Sequence, residues 1–171
     1  MEDIKSLVRD VPDFPKEGIL FKDITPVLAD PAALAAVIEA LAAPYREAGV
    51  TQVAGIEARG FIFGPAVAQA LGCGFVPVRK PGKLPAATRS VSYDLEYGTD
   101  TLELHEDAVG AKDKVLIVDD LLATGGTAAA AVQLIEAGGA AVIGCAFVIE
   151  LSFLSGRARL GDRQVSALID Y

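Results

Sequence analysis

Hydrophobic and polar positions fall into short, distinct blocks along this chain. Val115 to Val118 is a continuous run of branched apolar residues, the pattern of a strand buried on both faces. Val53 to Ile56, Phe75 to Val78 and Ala141 to Ile149 read similarly, and a short tail ends in Val165 to Ile169. Pro77, inside one of these runs, favours an edge or irregular position. Helical segments lie between them. Asp30 as N-cap and Pro31 at the first helical position open a helix over Ala32 to Ala43. Phe61 to Leu71 forms another, closed near Gly72, and Ala128 to Ala137 a third, stopped by Gly138-Gly139. Glu2 to Arg9 is an amphipathic helix candidate ended by Pro12, and Pro12, Pro15 and Gly18 force irregular backbone ahead of Ile19-Leu20-Phe21. From Val91 the period becomes two: Val91, Tyr93, Leu95 and Tyr97 share one parity, Ser92, Asp94 and Glu96 the other. Gly98-Thr99-Asp100 then turns the chain into a return strand, Thr101 to His105. Strands alternating with helices predict an α/β fold with a central, mostly parallel sheet flanked by helices.

The most informative stretch runs from Val115 to Thr127. Asp119 and Asp120 follow the buried run, where ligands of open α/β sheets bind, at the carboxyl ends of strands. Ala123-Thr124-Gly125-Gly126-Thr127 comes next, directly before a helix. Glycines there let backbone approach a ligand, the threonines add hydroxyls, and a helix start offers unpaired N–H groups with a positive dipole end. That combination suits a phosphate. The adjacent carboxylates would repel the same phosphate, so their simplest task is to hold the hydroxyls of an attached ribose. An ordinary strand–loop–helix with surface aspartates is the plain alternative. The sequence contains no Gly-Lys-Ser/Thr step and no Gly-x-Gly-x-x-Gly after this strand, which excludes the common nucleotide loops.

Residues 79 to 90 lack an apolar period and hold Pro81, Gly82 and Pro85 among Arg79, Lys80, Lys83 and Arg89. They read as a long loop, and such loops tend to be functional. With the hairpin they make a candidate lid. Local cations matter because the chain carries a formal charge of −8, which argues against general nucleic-acid affinity. At 171 residues and 52% hydrophobic the chain fits one domain, 1–171, with no disordered composition. Cys73 and Cys145 read as buried free thiols of a reducing compartment. The start lacks a basic segment followed by an apolar core, and Ala140 to Ile149 is about half the length of a membrane helix, so a cytoplasmic protein without a membrane partner is expected. His105, the single histidine, has no triad partners and reads as structural or solvent-facing.

The stretch at Asp119 to Thr127 resembles the ribose-phosphate motif of type I phosphoribosyltransferases, and its Leu-Leu-Ala-Thr-Gly-Gly-Thr form resembles the members that use adenine. Phe21 to Pro26, Glu57 to Gly64, Arg79 to Pro85 and Tyr93 to Gly98 match the same family in the expected order across nearly the whole chain. The resemblance implies that fold, with an N-terminal hood over residues 1–30 for the base and a flexible loop and hairpin over 79–105. It implies transfer of a 5-phosphoribosyl group from 5-phosphoribosyl 1-diphosphate to adenine, giving AMP and diphosphate, with Mg²⁺ bound mainly through the substrate, and a homodimer. Ala123, Thr124, Gly125, Gly126 and Thr127 would bind phosphate, and Asp119 and Asp120 ribose. Arg59, Arg79, Lys80 and Lys83 would meet diphosphate, near a cis peptide at Glu57–Ala58. Leu20, Phe21, Lys22 and Leu151 would line the base site, with Glu150 less secure, and Glu96 would act as acid or base. Two rivals are a relative using another base and a regulator that keeps the fold to sense the same ligands.

Overall fold

A computed structural model describes residues 1–94 and 98–171. The chain begins with helix α1 (Glu2–Leu7) and the antiparallel pair β1 (Arg9–Pro12) and β2 (Leu20–Asp23). The helix expected to reach Arg9 therefore stops earlier. Val8 is already extended, and Arg9 pairs across the ribbon with Asp23. Pro12 is tolerated as the strand's last residue, at an edge where its missing donor costs little. The connection holds a cis Phe14–Pro15 peptide and left-handed backbone at Asp13 and Gly18, the irregularity expected there.

Helices α2 (Thr25–Ala29) and α3 (Pro31–Ala42) follow, and the Asp30 carboxylate caps α3 by accepting from the N–H groups of Ala32 and Ala33 at 2.9 Å. The remaining elements are β3 (Gln52–Ile56), α4 (Gly60–Leu71), β4 (Gly74–Val78), β5 (Thr88–Asp94), β6 (Thr99–His105), β7 (Lys114–Leu122), α5 (Gly126–Ala137), β8 (Ala141–Glu150) and β9 (Val165–Asp170). Left-handed Gly72 (φ 69°) ends α4 as a glycine cap should.

Five strands form one parallel sheet in the order β4-β3-β7-β8-β9, with Pro77 on its edge strand as expected. Val37 and Leu41 of α3 and Phe63 and Val67 of α4 cover one face, against Val53, Leu116, Val118 and Val148. Leu134 and Ile135 of α5, with Leu102 and Leu104 of β6, cover the other against Val115, Ile117 and Phe147. The antiparallel hairpin β5–β6 forms a sheet of its own. It starts earlier than the sequence suggested. Thr88, Arg89 and Ser90 belong to β5, paired with His105, Leu104 and Glu103, because cross-strand bonding overrides a polar sequence without local period.

The direction of winding places the site. From β3 the chain passes through α4 outward to β4 on one edge; from β7 it passes through α5 to β8 on the other side. The strand order reverses between β3 and β7, and the crevice at their carboxyl ends is where such sheets bind ligands.

Candidate active site

A cavity of about 260 Å³ occupies that crevice. One wall follows β3 (Ile56 to Arg59), the other follows β7 (Asp119 to Ala128), and Lys80 reaches in from beyond β4. The aspartates do not follow the strand, as the sequence suggested, but lie inside it, since β7 continues to Leu122. Alternation changes phase across them. Val115 and Ile117 join one core cluster and Leu116 and Val118 the other, whereas beyond the pair Leu121 joins the second and Leu122 the first. Adjacent strand residues normally point to opposite faces. Here both carboxylates line one cavity.

Burial, and then the neighbouring Asp120 carboxylate, push the Asp119 carboxyl well up from its ordinary range. Asp119 Oδ1 accepts the Asp120 N–H at 2.9 Å, and Asp120 Oδ2 accepts a short hydrogen bond from Arg59 Nε. Arg59 has helical backbone (φ −75°, ψ −26°) and occupies the N-cap position of α4 without capping by its side chain. Gly60 explains how α4 leans this close to β7: a Cβ there would stand 2.8 Å from the Val118 carbonyl oxygen. The preceding Glu57–Ala58 peptide is cis.

The loop expected to hold phosphate makes a contact that the sequence did not suggest. Gly125 is left-handed (φ 80°), and a Cβ on it would meet the Gly156 carbonyl oxygen at 2.4 Å. Its glycine serves a backbone contact behind the loop, while Gly125 also lines the cavity in front. No side chain caps α5, so the leading N–H groups of that helix stand at a cavity lined by Gly125 to Ala128.

The four predicted diphosphate cations divide. Arg59 and Lys80 line the cavity; Arg79 and Lys83 do not. Arg79 donates to Glu57 Oε2 at 2.8 Å and to the Lys83 carbonyl at 3.2 Å, while its backbone bridges Glu103. Lys80 donates a short bond to Asp100 Oδ2 and a 3.5 Å bond to Tyr93 Oη. Tyr93 in turn donates to Asp100 at 3.3 Å and accepts from Thr127 Oγ1 at 3.2 Å. That hydrogen bond to Lys80 holds the Asp100 carboxyl below the usual carboxylate range. This chain ties the hairpin to the loop at the α5 start.

A second, smaller pocket of about 90 Å³ adjoins the first and shares Arg59, Asp120 and Leu121 with it. Leu20, Phe21, Lys22 and Leu151, the predicted base residues, all line it, joined by Ile19 and Ile149. The Phe21 ring meets Phe14 edge-on at 5.1 Å, and the Arg59 guanidinium lies 5.8 Å from its centroid. Lys22 Nζ turns to Asp10 at 2.6 Å and sits 3.8 Å over the Tyr171 ring, so its charge is engaged. Glu150 is paired with Arg157 instead of facing this pocket. His105 accepts the Ala86 N–H at 3.3 Å, a structural contact. Glu96, with Leu95 and Tyr97, lies outside the described residues.

The sequence reading missed Asp100, Ile19, Ile149 and Gly156. Asp100 carried a signal, for it shares parity with the fully buried Leu102 and Leu104. The others were set by contacts between distant segments.

An uncapped helix start, an acid pair, two cations and an aromatic slot thus converge on one crevice, a set suited to a phosphorylated sugar that carries a second anionic group and a flat base. Residues 24–164 match the phosphoribosyl transferase domain. Over its full length the chain is 61% identical to the adenine phosphoribosyltransferase of Solibacter usitatus, covering 99% of that protein. The crystal structure of the Thermoanaerobacter pseudethanolicus adenine phosphoribosyltransferase superposes with a TM-score of 0.96 at 54% identity, covering 99% of both chains. That of the Saccharomyces cerevisiae enzyme, a complex containing adenine, gives 0.92 at 43% identity, over 98% of this chain and 97% of that one. The chain belongs to the adenine phosphoribosyltransferase family.

Proposed function

We infer that the protein works in purine salvage, transferring the 5-phosphoribosyl group of 5-phosphoribosyl 1-diphosphate to adenine with release of AMP and diphosphate. The observation that carries this reading is the shared crevice. Phosphate loop, acid pair and aromatic slot abut one another, and Arg59 and Asp120 belong to both pockets.

The 5-phosphate sits on Ala123, Thr124, Gly125, Gly126 and Thr127, at the α5 start. Asp119 and Asp120 bond the ribose hydroxyls, and their charge favours the oxocarbenium character that develops at the anomeric carbon. Adenine stacks on Phe21 in the slot of Leu20, Lys22 and Leu151, where a backbone carbonyl accepts from the 6-amino group but would leave a 6-oxo group unsatisfied. The bond from the anomeric carbon to diphosphate breaks as N9 of adenine bonds to the same carbon. Glu96 takes the N9 proton. Diphosphate leaves toward Arg59 and Lys80, with Arg79 and Lys83 drawn in from the same segment. Residues 1–30 act as the hood and 79–105 as the closing lid of a single domain, which excludes water during the reaction.

Among the described residues no group of three or more His, Cys, Asp or Glu could cage a metal. An acid pair in the cavity without such a cage fits Mg²⁺ held by substrate oxygens and waters, with Asp119 and Asp120 at most behind those waters. Bound so, the ion would neutralise diphosphate charge. No helix among the described residues is long and apolar enough to cross a membrane. The chain's charge of −8 argues against general nucleic-acid affinity, and the family resemblance is the ground on which we propose a cytoplasmic homodimer without a membrane partner. A panel of bases assayed with 5-phosphoribosyl 1-diphosphate tests the reading. Adenine should be converted to AMP; turnover of hypoxanthine but not adenine would overturn it.

A further inference from the structure

Behind the phosphate loop lies a contact that the chemistry above does not use. β8 ends at Glu150, buried at 5% exposure, and the chain continues through two short 3₁₀ turns, Ser152–Leu154 and Gly156–Leu160. Gly156, the first residue of the second turn and next to the left-handed Ser155, is buried against the loop. A Cβ on Gly156 would stand 2.2 Å from the Ala123 carbonyl oxygen and 3.1 Å from the Gly125 nitrogen. Reciprocally, a Cβ on Gly125 would stand 2.4 Å from the Gly156 carbonyl oxygen. Glycine on both sides lets two backbones touch, leaving no slack for the loop to sink or tilt.

The turn is itself pinned. Arg157 Nε donates to both Glu150 oxygens at 2.8 Å, Nη2 donates to Oε2 at 2.5 Å, and Nη1 donates to the Val165 carbonyl at 2.7 Å. Glu150 is the strand partner of Leu122, the residue just before the loop, and the Leu151 N–H donates to the Leu122 carbonyl at 2.9 Å. Glu150 thus joins the start of the loop through its strand backbone and the back of the loop through its carboxylate, Arg157 and Gly156. Planar guanidinium and carboxylate meeting through several hydrogen bonds give the geometric precision that a flexible pair would lack.

We propose that Gly156, held by the Glu150–Arg157 pair, is the positioning residue of the 5-phosphate site. It sets the height of Ala123 to Gly125 without touching substrate, so that the N–H groups at the α5 start meet the phosphate at bonding distance. The proposal rests on the reading that residues 123–127 bind that phosphate. Displacement of such a cradle by a fraction of an ångström affects only ligands that carry the phosphate.

The test is calorimetric titration of AMP, and of adenosine as the same ligand without phosphate, into Gly156→Ala, Arg157→Ala, Arg157→Lys and the double variant Thr124→Val/Thr127→Val, alongside melting temperatures. Gly156→Ala and Arg157→Ala should each weaken AMP about tenfold to hundredfold while adenosine keeps its wild-type affinity, with Arg157→Lys recovering part of the loss. Arg157→Ala carries the test if Gly156→Ala does not fold. Equal losses for AMP and adenosine would reduce the turn to general scaffolding and overturn the proposal. So would unchanged AMP binding in both variants while the threonine pair loses it, an outcome that leaves the functional reading intact. Unchanged AMP binding in the threonine double variant would instead remove the phosphate-loop reading on which the proposal stands.

Discussion

The wall after β7 and the wall after β3 face each other across one cavity, but they are held in place by different forces. The β7 wall is backbone packed on backbone: Gly125 rests on Gly156, Ala123 closes behind it, and Arg157 locks the turn. If residues 123–127 bind phosphate as proposed, their backbone is already in place for it. The opposing wall and its neighbour beyond β4 are made of cations already engaged with acids, Arg59 with Asp120, Arg79 with Glu57 and Lys80 with Asp100. In the proposed binding mode a diphosphate would compete for charge that the protein has already neutralised, so one end of the substrate would meet a preformed cradle and the other an exchange of ion pairs. In a chain of net charge −8 such an exchange would moderate the grip on a polyanionic product.

The largest effect expected on AMP binding is at Gly125. Gly125→Ala puts a Cβ 2.4 Å from the Gly156 oxygen at a backbone φ of 80°, and should weaken AMP about hundredfold in calorimetry while diphosphate binding changes little. Asp119→Asn should lower turnover about tenfold to thousandfold, by removing negative charge near the ribose. Its stability should move the other way. Because the folded-state pKa of Asp119 is raised, the carboxyl favours the folded protein below its unfolded value of about 4 and loses that contribution as pH rises toward the folded value. At neutral pH the ligand-free Asp119→Asn variant should therefore melt higher than the parent, with the difference shrinking below about pH 4. Equal melting temperatures at pH 7 would contradict the buried-acid description.

Smaller effects sharpen the cation side. Arg59→Ala should weaken diphosphate about tenfold and AMP less, since Arg59 also steadies Asp120 and lies over the Phe21 ring of the base slot. Equal loss for both ligands would place Arg59 with the phosphate loop instead. Asp100→Asn should tighten diphosphate by about twofold to fivefold, the modest value of a half-exposed pair, because Lys80 loses the carboxylate that competes for it. Weaker diphosphate binding in that variant would mean that Asp100 supports the lysine more than it competes.

The same division explains what the amino-acid order revealed. Elements that rest on local physics were legible: the buried run of β7, the Asp30 cap, the glycine closing α4 and the uncapped start of α5. That Leu20, Phe21, Lys22 and Leu151 share one pocket followed from family resemblance, since Phe21 alone reads as core. Features made by contact between distant segments were not legible. Gly156 looks like any turn glycine until it meets Gly125, thirty-one positions earlier in the chain. Asp100 looked like a turn residue because Gly98 precedes it, although its parity with Leu102 and Leu104 pointed inward. β1 escaped notice because Arg9 to Pro12 is polar and ends in proline, and only Leu20 to Asp23 makes it a strand. Thr88 to Ser90 read as loop for the same reason, their pairing lying with Glu103 to His105.

A crystal structure of the protein with AMP and diphosphate bound, superposed on β3, β7 and β8 of a ligand-free crystal, tests the central asymmetry most directly. Ala123 to Thr127 and Ser155 to Arg157 should coincide in the two crystals, with the phosphate on the N–H groups of α5, while Lys80 leaves Asp100 for diphosphate. A phosphate loop that shifts on binding while Lys80 keeps its partner would contradict it.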